Sequence, residues 1–143
     1  MKIHGSWKIE RYKENIVLAK AIGAWNAEAA EAFTREFKTA VKPISSKPWA
    51  ILMSTQCGEL VVPEAMEILT ELNAWVIGHN CHCEASLVKY NIQKELFDKT
   101  RACGDHVYIQ KSFYELTQAI SFIANNGFDI ATDEHILENW FVN

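Results

Sequence analysis

The order of apolar and polar positions predicts a hairpin at the start of the chain. Trp7 and Ile9 alternate with polar neighbours, a pattern typical of a half-exposed strand at the edge of a sheet over residues 7–12. Residues 16–22 are mostly apolar and predict a second strand. Since only a short turn at Glu14 and Asn15 separates them, we expect these two strands to form a hairpin.

Helical spacing of apolar residues begins after this hairpin. We expect Asn26 to cap a helix, because its side-chain oxygen can accept a free backbone N–H of the first turn. Pro43 and Pro48 follow the helix and prevent its continuation. The predicted buried stripe consists of Ala30, Phe33, Phe37 and Val41.

A third strand and a second helix follow in the middle of the chain. The uninterrupted apolar residues 49–54 predict a strand covered by helices on at least one face, and 55–59 a loop. Pro63 suits the first helical position, where its missing N–H costs little, and Gly78 predicts the end of that helix. Its apolar stripe is Met66, Leu69, Leu72 and Val76.

The last third of the chain again alternates predicted strands and helices. Residues 83–88 predict a strand, Asn91 caps a helix that runs to 102, and residues 106–110 predict a shorter strand. Ser112 and Glu115 have the spacing of a capping box, in which each side chain satisfies a backbone N–H of the other. They predict a final helix that ends near residues 125–127.

Strands that alternate with long helices imply right-handed crossovers and a mostly parallel sheet. We therefore predict an α/β fold with a mixed, largely parallel sheet of four to five strands, helices packed on it, and an antiparallel edge strand from the opening hairpin. We expect a single domain over residues 1–127 and a helical tail over 128–143.

Composition and charge argue against several classes of protein. The chain has 143 residues and a formal charge of −4, with 49% hydrophobic and 22% charged residues. This acidic balance argues against nucleic acid as a partner. The first residues lack the apolar core of a secretory signal, and no apolar run reaches the roughly 20 residues that a transmembrane helix needs. We therefore expect a cytoplasmic protein whose four cysteines are free thiols.

The order of elements resembles the STAS or SpoIIAA-like family over roughly residues 5–127. The resemblance depends on the opening hairpin, the helix near Asn26, the strand 50–54 and the closing segment 107–123, VYIQKSFYELTQAISFI. It implies a bacterial, mostly non-enzymatic domain that binds a partner protein or a small apolar or lipid ligand. Family members that oppose anti-sigma factors carry a phosphorylated serine at a helix N-terminus. The matching residues 60–65 contain no serine or threonine, so this switch is not carried over.

Position in the fold indicates where a ligand would bind. Ligands of open parallel sheets bind beyond the carboxyl ends of the strands, where helix N-termini also point. Lysines at that edge would favour an anionic group, while Asn91 and Ser112 are also explained as helix caps. The predicted ligand-binding residues are Ser54, Thr55, Gln56, Lys89, Tyr90, Lys111 and Ser112.

Cysteine and histidine cluster in the run 79–83. Cys81, His82 and Cys83 are zinc-type ligands, and Cys57, Cys103 or His106 could complete a site. On a regular strand, however, Cys81 and Cys83 face one way and His82 the other, which favours two small core residues over a metal centre. Walker and dinucleotide motifs are absent from the sequence, so we predict neither cofactor nor metal.

Two alternatives remain open at this stage. Cys57, in the predicted loop before a helix, is the candidate nucleophile of a small thiol enzyme, because a helix N-terminus lowers a thiol pKa. The tail carries a cluster of apolar residues that must either fold back onto the domain or form an interface with a second copy or another protein. These residues are Ile136, Leu137, Trp140 and Phe141.

Overall fold

The structure, a computed structural model, describes residues 2–59, 61–90 and 108–142. It contains five strands: β1 (Ser6–Tyr12), β2 (Ile16–Gly23), β3 (Trp49–Gly58), β4 (Cys81–Leu87) and β5 (Ile109–Phe113). Its helices are α1 (Ala27–Val41), α2 (Pro63–Ile77), α3 (Leu116–Asn125) and α4 (Glu134–Val142), and a 3₁₀ turn, Lys42–Ile44, follows α1. None of the helices in these ranges is long and apolar enough to cross a bilayer.

The sheet has the strand order β1-β2-β3-β4-β5. β1 pairs antiparallel with β2, and the other neighbouring pairs are parallel. The predicted α/β class, the opening hairpin and the antiparallel edge strand are confirmed.

Helices cover both faces of the sheet and divide the core into two layers. Side chains that alternate along β3 show this division, since Ile51 belongs to one cluster and Leu52 to the other. The first cluster contains the buried residues of α1 and α2, among them Phe33, Phe37, Leu72 and Val76. The second contains those of α3 and α4, among them Ile120, Ile123, Leu137 and Phe141. Both faces of the central strands are therefore shielded from water, as their apolar sequences require.

Asn26 caps α1 as predicted. Its Oδ1 accepts the backbone N–H of Ala29 at 3.0 Å and that of His4 at 3.2 Å. Its Nδ2 donates to the carbonyl oxygen of Lys2 at 2.8 Å. One side chain thus starts the helix and also fastens the N-terminal segment beside it.

Three predicted boundaries are wrong, because strand pairing extends further than local sequence signals indicate. Residues 55–58 were expected in a loop, but β3 continues to Gly58, since Cys57 lies opposite Ile22 of β2. β4 begins at Cys81 rather than at residue 83. β5, Ile109–Phe113, ends three residues beyond the predicted strand 106–110, whose first two residues lie outside the described ranges. The expected helix over 91–102 lies outside the described residues.

The predicted capping box is also wrong. Ser112 belongs to β5, where it lies opposite Ser86 of β4. Glu115 occupies the N-cap position of α3, and its side chain makes no capping hydrogen bond. The fourth parallel strand recruits Ser112 because each added residue gains ladder hydrogen bonds with β4.

The tail folds back onto the sheet. Leu137 and Phe141 are buried in the second cluster, whereas Ile136 is 56% exposed. Lys13, in the turn after β1, places its Nζ 2.7 Å from Asp133 Oδ2 and 3.1 Å from Asp129 Oδ2. These contacts fasten the start of α4 to the hairpin, and Lys8 of β1 lies 5.0 Å over the Trp140 ring near its end.

Candidate functional site

A cavity of about 140 Å³ lies between the sheet and the helices α1 and α2. Ala21, Gly23 and Gly58, at the carboxyl ends of β2 and β3, line it with little side-chain volume. Larger apolar side chains from the strands and helices form most of the remaining wall. They include Trp25, Phe33, Phe37, Ile51, Met53, Val61, Met66, Leu69, Leu72 and Val76.

Aromatic residues position one side of the cavity. The indole N–H of Trp25 donates to the carbonyl oxygen of Ser6 at 3.1 Å, and its ring centroid lies 4.9 Å from that of Phe33. Phe37 stacks on Phe33 one helical turn later, with centroids 5.6 Å apart. Because α1 places these rings four residues apart, they follow each other along its buried face. The wall is therefore built from rings that are already held in place without a ligand.

Among the described residues that line the cavity, three are polar: Thr55, Asn73 and Glu84. Glu84 lies in the middle of β4 and is 8% exposed. Tyr108 donates its hydroxyl to Glu84 Oε1 at 3.0 Å, and Ser86 donates to Oε2 at 3.0 Å. A carboxyl group is thus held at the cavity wall by two neutral hydroxyl groups.

The network around Glu84 joins α2, β4 and β5. Asn73 of α2 donates to the Tyr108 hydroxyl at 3.2 Å. Gln110 of β5 donates its Nε2 to Ser86 Oγ at 3.1 Å. The donors come from α2 and from two strands of the sheet itself, so the carboxyl group has a defined orientation.

Burial controls the ionisation of this group. Loss of solvation raises the pKa of the Glu84 carboxyl above its ordinary value of 4.5, while the hydrogen bonds from Tyr108 and Ser86 oppose the shift. Burial, together with the nearby Glu84 charge, also raises the pKa of the Tyr108 hydroxyl, so Tyr108 remains a hydrogen-bond donor at neutral pH.

The residues predicted to bind a ligand at the carboxyl edge serve different parts of the fold. Thr55 lines the cavity and donates its hydroxyl to the Leu87 carbonyl at 3.2 Å. Ser54 is buried and its Oγ accepts the backbone N–H of Gln56 at 3.2 Å. Gln56 donates to the carbonyl oxygens of Val88 at 3.3 Å and Tyr114 at 3.1 Å, which ties β3 to the ends of β4 and β5.

The remaining residues of that prediction lie away from the cavity lining. Lys89 and Tyr90 are exposed next to each other, with the Lys89 Nζ 5.6 Å from the Tyr90 ring centroid. Lys111 is exposed and lines a shallow groove against α3 on the other face of the sheet. Ser112 Oγ lies 3.4 Å from Gln110 Nε2. Asn91 lies outside the described residues.

The cysteine cluster differs from the predicted geometry. Cys81 lies opposite Trp49 and Cys83 opposite Ala50, so β4 carries one extra residue at this point. The bulge places Cys81 in the first core cluster and Cys83 in the second, on opposite faces of the sheet, where a regular strand would have put both on one face. Burial raises the pKa of Cys81 well above its ordinary value and that of Cys83 to about 12. Both thiols stay protonated at neutral pH, and because they lie on opposite faces of the sheet they cannot ligate one ion together.

His82 lies near Phe128, with ring centroids 6.1 Å apart. Within the described ranges, no group of three or more histidine, cysteine, aspartate or glutamate side chains is arranged to hold a metal ion. Cys103 and His106, named as further ligands, lie outside those ranges. Cys57 is exposed near the end of β3.

Glu84 was missed by the sequence analysis, although the sequence carries a signal for it. Within the predicted strand 83–88, Glu84 and Ser86 are the two polar residues, and their spacing of two places them on one face. A carboxyl group inside a strand expected to be buried needs partners. Its distant partner, Tyr108, is 24 positions away in the chain, and Asn73, which donates to the Tyr108 hydroxyl, is 35 positions from Tyr108, so only the fold brings them together.

A comparison of the sequence with family models and with curated proteins found no match. Solved structures do match. An uncharacterized protein of the DUF3478 family with a SpoIIAA-like fold, from Shewanella loihica PV-4, aligns with a TM-score of 0.62 and 16% identity, covering 85% of this chain and 95% of its own.

Two further structures align over similar lengths. The anti-sigma factor antagonist SpoIIAA in its unphosphorylated form gives a TM-score of 0.59 at 10% identity, with coverage of 86% of this chain and all (100%) of its own. An anti-sigma factor antagonist from Mycobacterium paratuberculosis gives 0.58 at 12% identity, with coverage of 85% and 95%. The SpoIIAA-like fold that the resemblance implied is confirmed.

Proposed function

We propose that this chain, which has the SpoIIAA-like fold, is a non-catalytic domain that binds a small apolar molecule between α1, α2 and the sheet. The observation that carries the proposal is the cavity of about 140 Å³ with its mostly apolar wall, which includes the rings of Trp25, Phe33 and Phe37. An apolar cavity of about 150 Å³ engineered into another protein stays dry and binds benzene. A ligand of that size, or slightly larger, matches the space available.

The expected affinity is modest. A ligand that buries about 150 Å² of apolar surface gains roughly 4 kcal/mol, which corresponds to a Kd near 1 mM. Glu84, which also lines the cavity, would add a hydrogen bond for a ligand with a polar group. We therefore expect binding of simple hydrocarbons in the millimolar range and tighter binding of better-matched molecules.

Titration with toluene tests the proposal. Changes in NMR chemical shift should concentrate on the Trp25 indole N–H and the Met53 methyl group, because both line the cavity. Met66 also lines it, and Met66→Trp places a larger side chain in the space and should weaken toluene binding at least fivefold. Phe122→Trp on α3, on the other face of the sheet, is the matched control and should leave binding unchanged. Shifts scattered over the surface, or equal effects of both variants, would contradict the proposal.

The non-catalytic part of the proposal is supported by the surroundings of Cys57. Among the described residues, no histidine or carboxylate donates to or accepts from its thiol through a hydrogen bond. A nucleophilic cysteine needs a base or a charge that stabilises its thiolate. The thiol-enzyme hypothesis therefore gains no support from the described part of the chain.

A protein partner or a second copy of the chain is the other candidate, and anti-sigma factor antagonists of the same fold motivate it. Leu137 and Phe141 are buried in their own domain, so an interface on α4 would use Ile136 and the partly exposed Trp140. We also expect the protein to act in the cytoplasm, where its thiols would stay reduced.

A further inference from the structure

We infer that the molecule bound in the cavity is a small hydrophobic amine whose ammonium group pairs with Glu84. This inference rests on the proposed function and adds the chemistry of the polar end of the ligand. It follows from the position of one carboxyl group in a cavity wall whose other described residues are neutral.

Glu84 is the one ionisable residue among the described residues that line the cavity. It is more than nine-tenths buried, and its two hydrogen-bond donors, Tyr108 and Ser86, are neutral. In the described part of the chain, the ion pairs are made by Lys13, at the hairpin turn, and none involves Glu84. A buried carboxylate without a cation is costly, and the charge of a bound cation would offset part of that cost.

The carboxyl group also has room for further hydrogen bonds. A carboxylate offers about four acceptor positions, and hydroxyl groups occupy two of those of Glu84. An ammonium group supplies three donors and a positive charge, and Trp25 and Phe33, whose ring type attracts cations, line the same cavity. The apolar body of an amine would fill the space beside these rings.

Other head groups fit this wall less well. A carboxylate ligand would bring a second negative charge toward Glu84 in a medium of low polarity, where repulsion is strong. A hydrocarbon leaves the carboxylate without a counter-charge, and an alcohol offers one neutral hydrogen bond. The exposed lysines Lys89 and Lys111, which would favour an anion, do not line this cavity.

Four probes of one skeleton test the inference: benzylamine, benzyl alcohol, toluene and benzoate. Binding is measured at pH 7.5, where benzylamine is a cation, by calorimetry and by shifts of the Trp25 indole signal. Wild-type protein should bind benzylamine at least tenfold more tightly than benzyl alcohol or toluene, and benzoate least. Glu84→Gln should reduce the preference for benzylamine to less than twofold and leave the toluene Kd within twofold of wild type.

A second variant separates the charge from the network around it. Tyr108→Phe removes a hydrogen bond to Glu84 but keeps the carboxyl group, so it should keep at least a fivefold preference for benzylamine. If Tyr108→Phe abolishes the preference as fully as Glu84→Gln, the network rather than the charge is responsible and the inference is overturned.

Different results would contradict the amine inference and the proposed function. If toluene and benzylamine bind wild-type protein equally well at the Trp25 site, the amine inference is wrong while the apolar cavity remains a binding site. If none of the four probes shifts the Trp25 signal, the proposed function itself is wrong.

Discussion

At the scale of single residues, Glu84 combines deep burial with partners that carry no charge. Ser86 and Tyr108 satisfy its oxygens, but they do not replace the water that an ionised carboxyl group loses on burial. Desolvation is the largest cause of its raised pKa. Such a group costs stability when it is ionised, which agrees with the binding role proposed for it.

The direction of the pKa shift of Glu84 determines how the stability of the protein depends on pH. Because the folded-state pKa of Glu84 exceeds its ordinary value of 4.5, the folded protein holds this proton more tightly than the unfolded chain does. The stability linked to this proton is fully present below about pH 4.5. It is lost as the pH rises through the folded-state pKa.

Glu84→Gln removes this ionisation. The free energy of unfolding of wild type minus that of the variant should therefore decrease as the pH rises from 4.5 to 8, and urea unfolding at three pH values measures it. Glu67→Gln, at an exposed position on α2, is the control and should show a nearly constant difference. A difference that grows with pH for the Glu84 variant would contradict the assignment.

At the scale of the elements, two helix starts with similar sequence signals behave differently. Asn26 caps α1 because the chain leaves β2 at Gly23 and is free to turn before Ala27. Ser112 does not cap α3 because it is still paired with β4. The local signal was equally plausible at both sites, and the length of the neighbouring strand decided between them.

Asn26→Ala should destabilise the protein by about 1–2 kcal/mol, because it removes a helix cap. It also removes the hydrogen bonds that hold the N-terminal segment. Ser112→Ala, which the capping-box hypothesis expects to be equally costly, should cost only a few tenths of a kcal/mol. Asn139→Ala, at an exposed position inside α4, controls for the loss of an amide side chain and should be neutral. Equal losses for the Asn26 and Ser112 variants in chemical unfolding would show that the cap assignment is wrong.

At the scale of the whole molecule, α4 completes the second core layer. Phe128 and Ile130, which lead into it, are buried with Leu137 and Phe141 in the cluster that covers β2, β3 and β4. We therefore expect the segment after α3 to fold together with the sheet. Its removal would expose the second face of the central strands to water.

Neighbouring residues of α4 provide a matched test. Leu137 is fully buried, so Leu137→Ala should cost about 2–5 kcal/mol while unfolding remains a single transition. Ile136→Ala removes similar volume from an exposed position and should change stability by less than about 0.5 kcal/mol. A small effect of Leu137→Ala in thermal and urea unfolding would indicate that α4 is only loosely attached.

The predicted second copy is tested at the same helix. If Ile136 contributes to an interface between copies, Ile136→Asp should lower the mass measured by light scattering without lowering the stability of the monomer. The exposed residue Glu138, substituted as Glu138→Gln, is the control and should leave the mass unchanged. A mass that is the same for wild type and the Ile136 variant would argue against α4 as an interface.

By itself, the sequence determined the architecture of this protein. The spacing of apolar residues follows the geometry of strands and helices, so the order of the described elements, the opening hairpin and the Asn26 cap were accessible from local patterns. The ends of β3 and β5 could not be predicted from local patterns, because ladder hydrogen bonds with a neighbouring strand override turn and cap signals.

Only the tertiary structure decided where the cavity lies. The cavity exists because small residues at the ends of β2 and β3 lie beneath bulky rings from α1, and no local pattern records that juxtaposition. In the same way, the bulge between Cys81 and Cys83 separates two thiols that alternation would have placed together. The lining of the cavity depends on which side chains meet across the core. Packing between elements far apart in the chain sets the distances between these side chains.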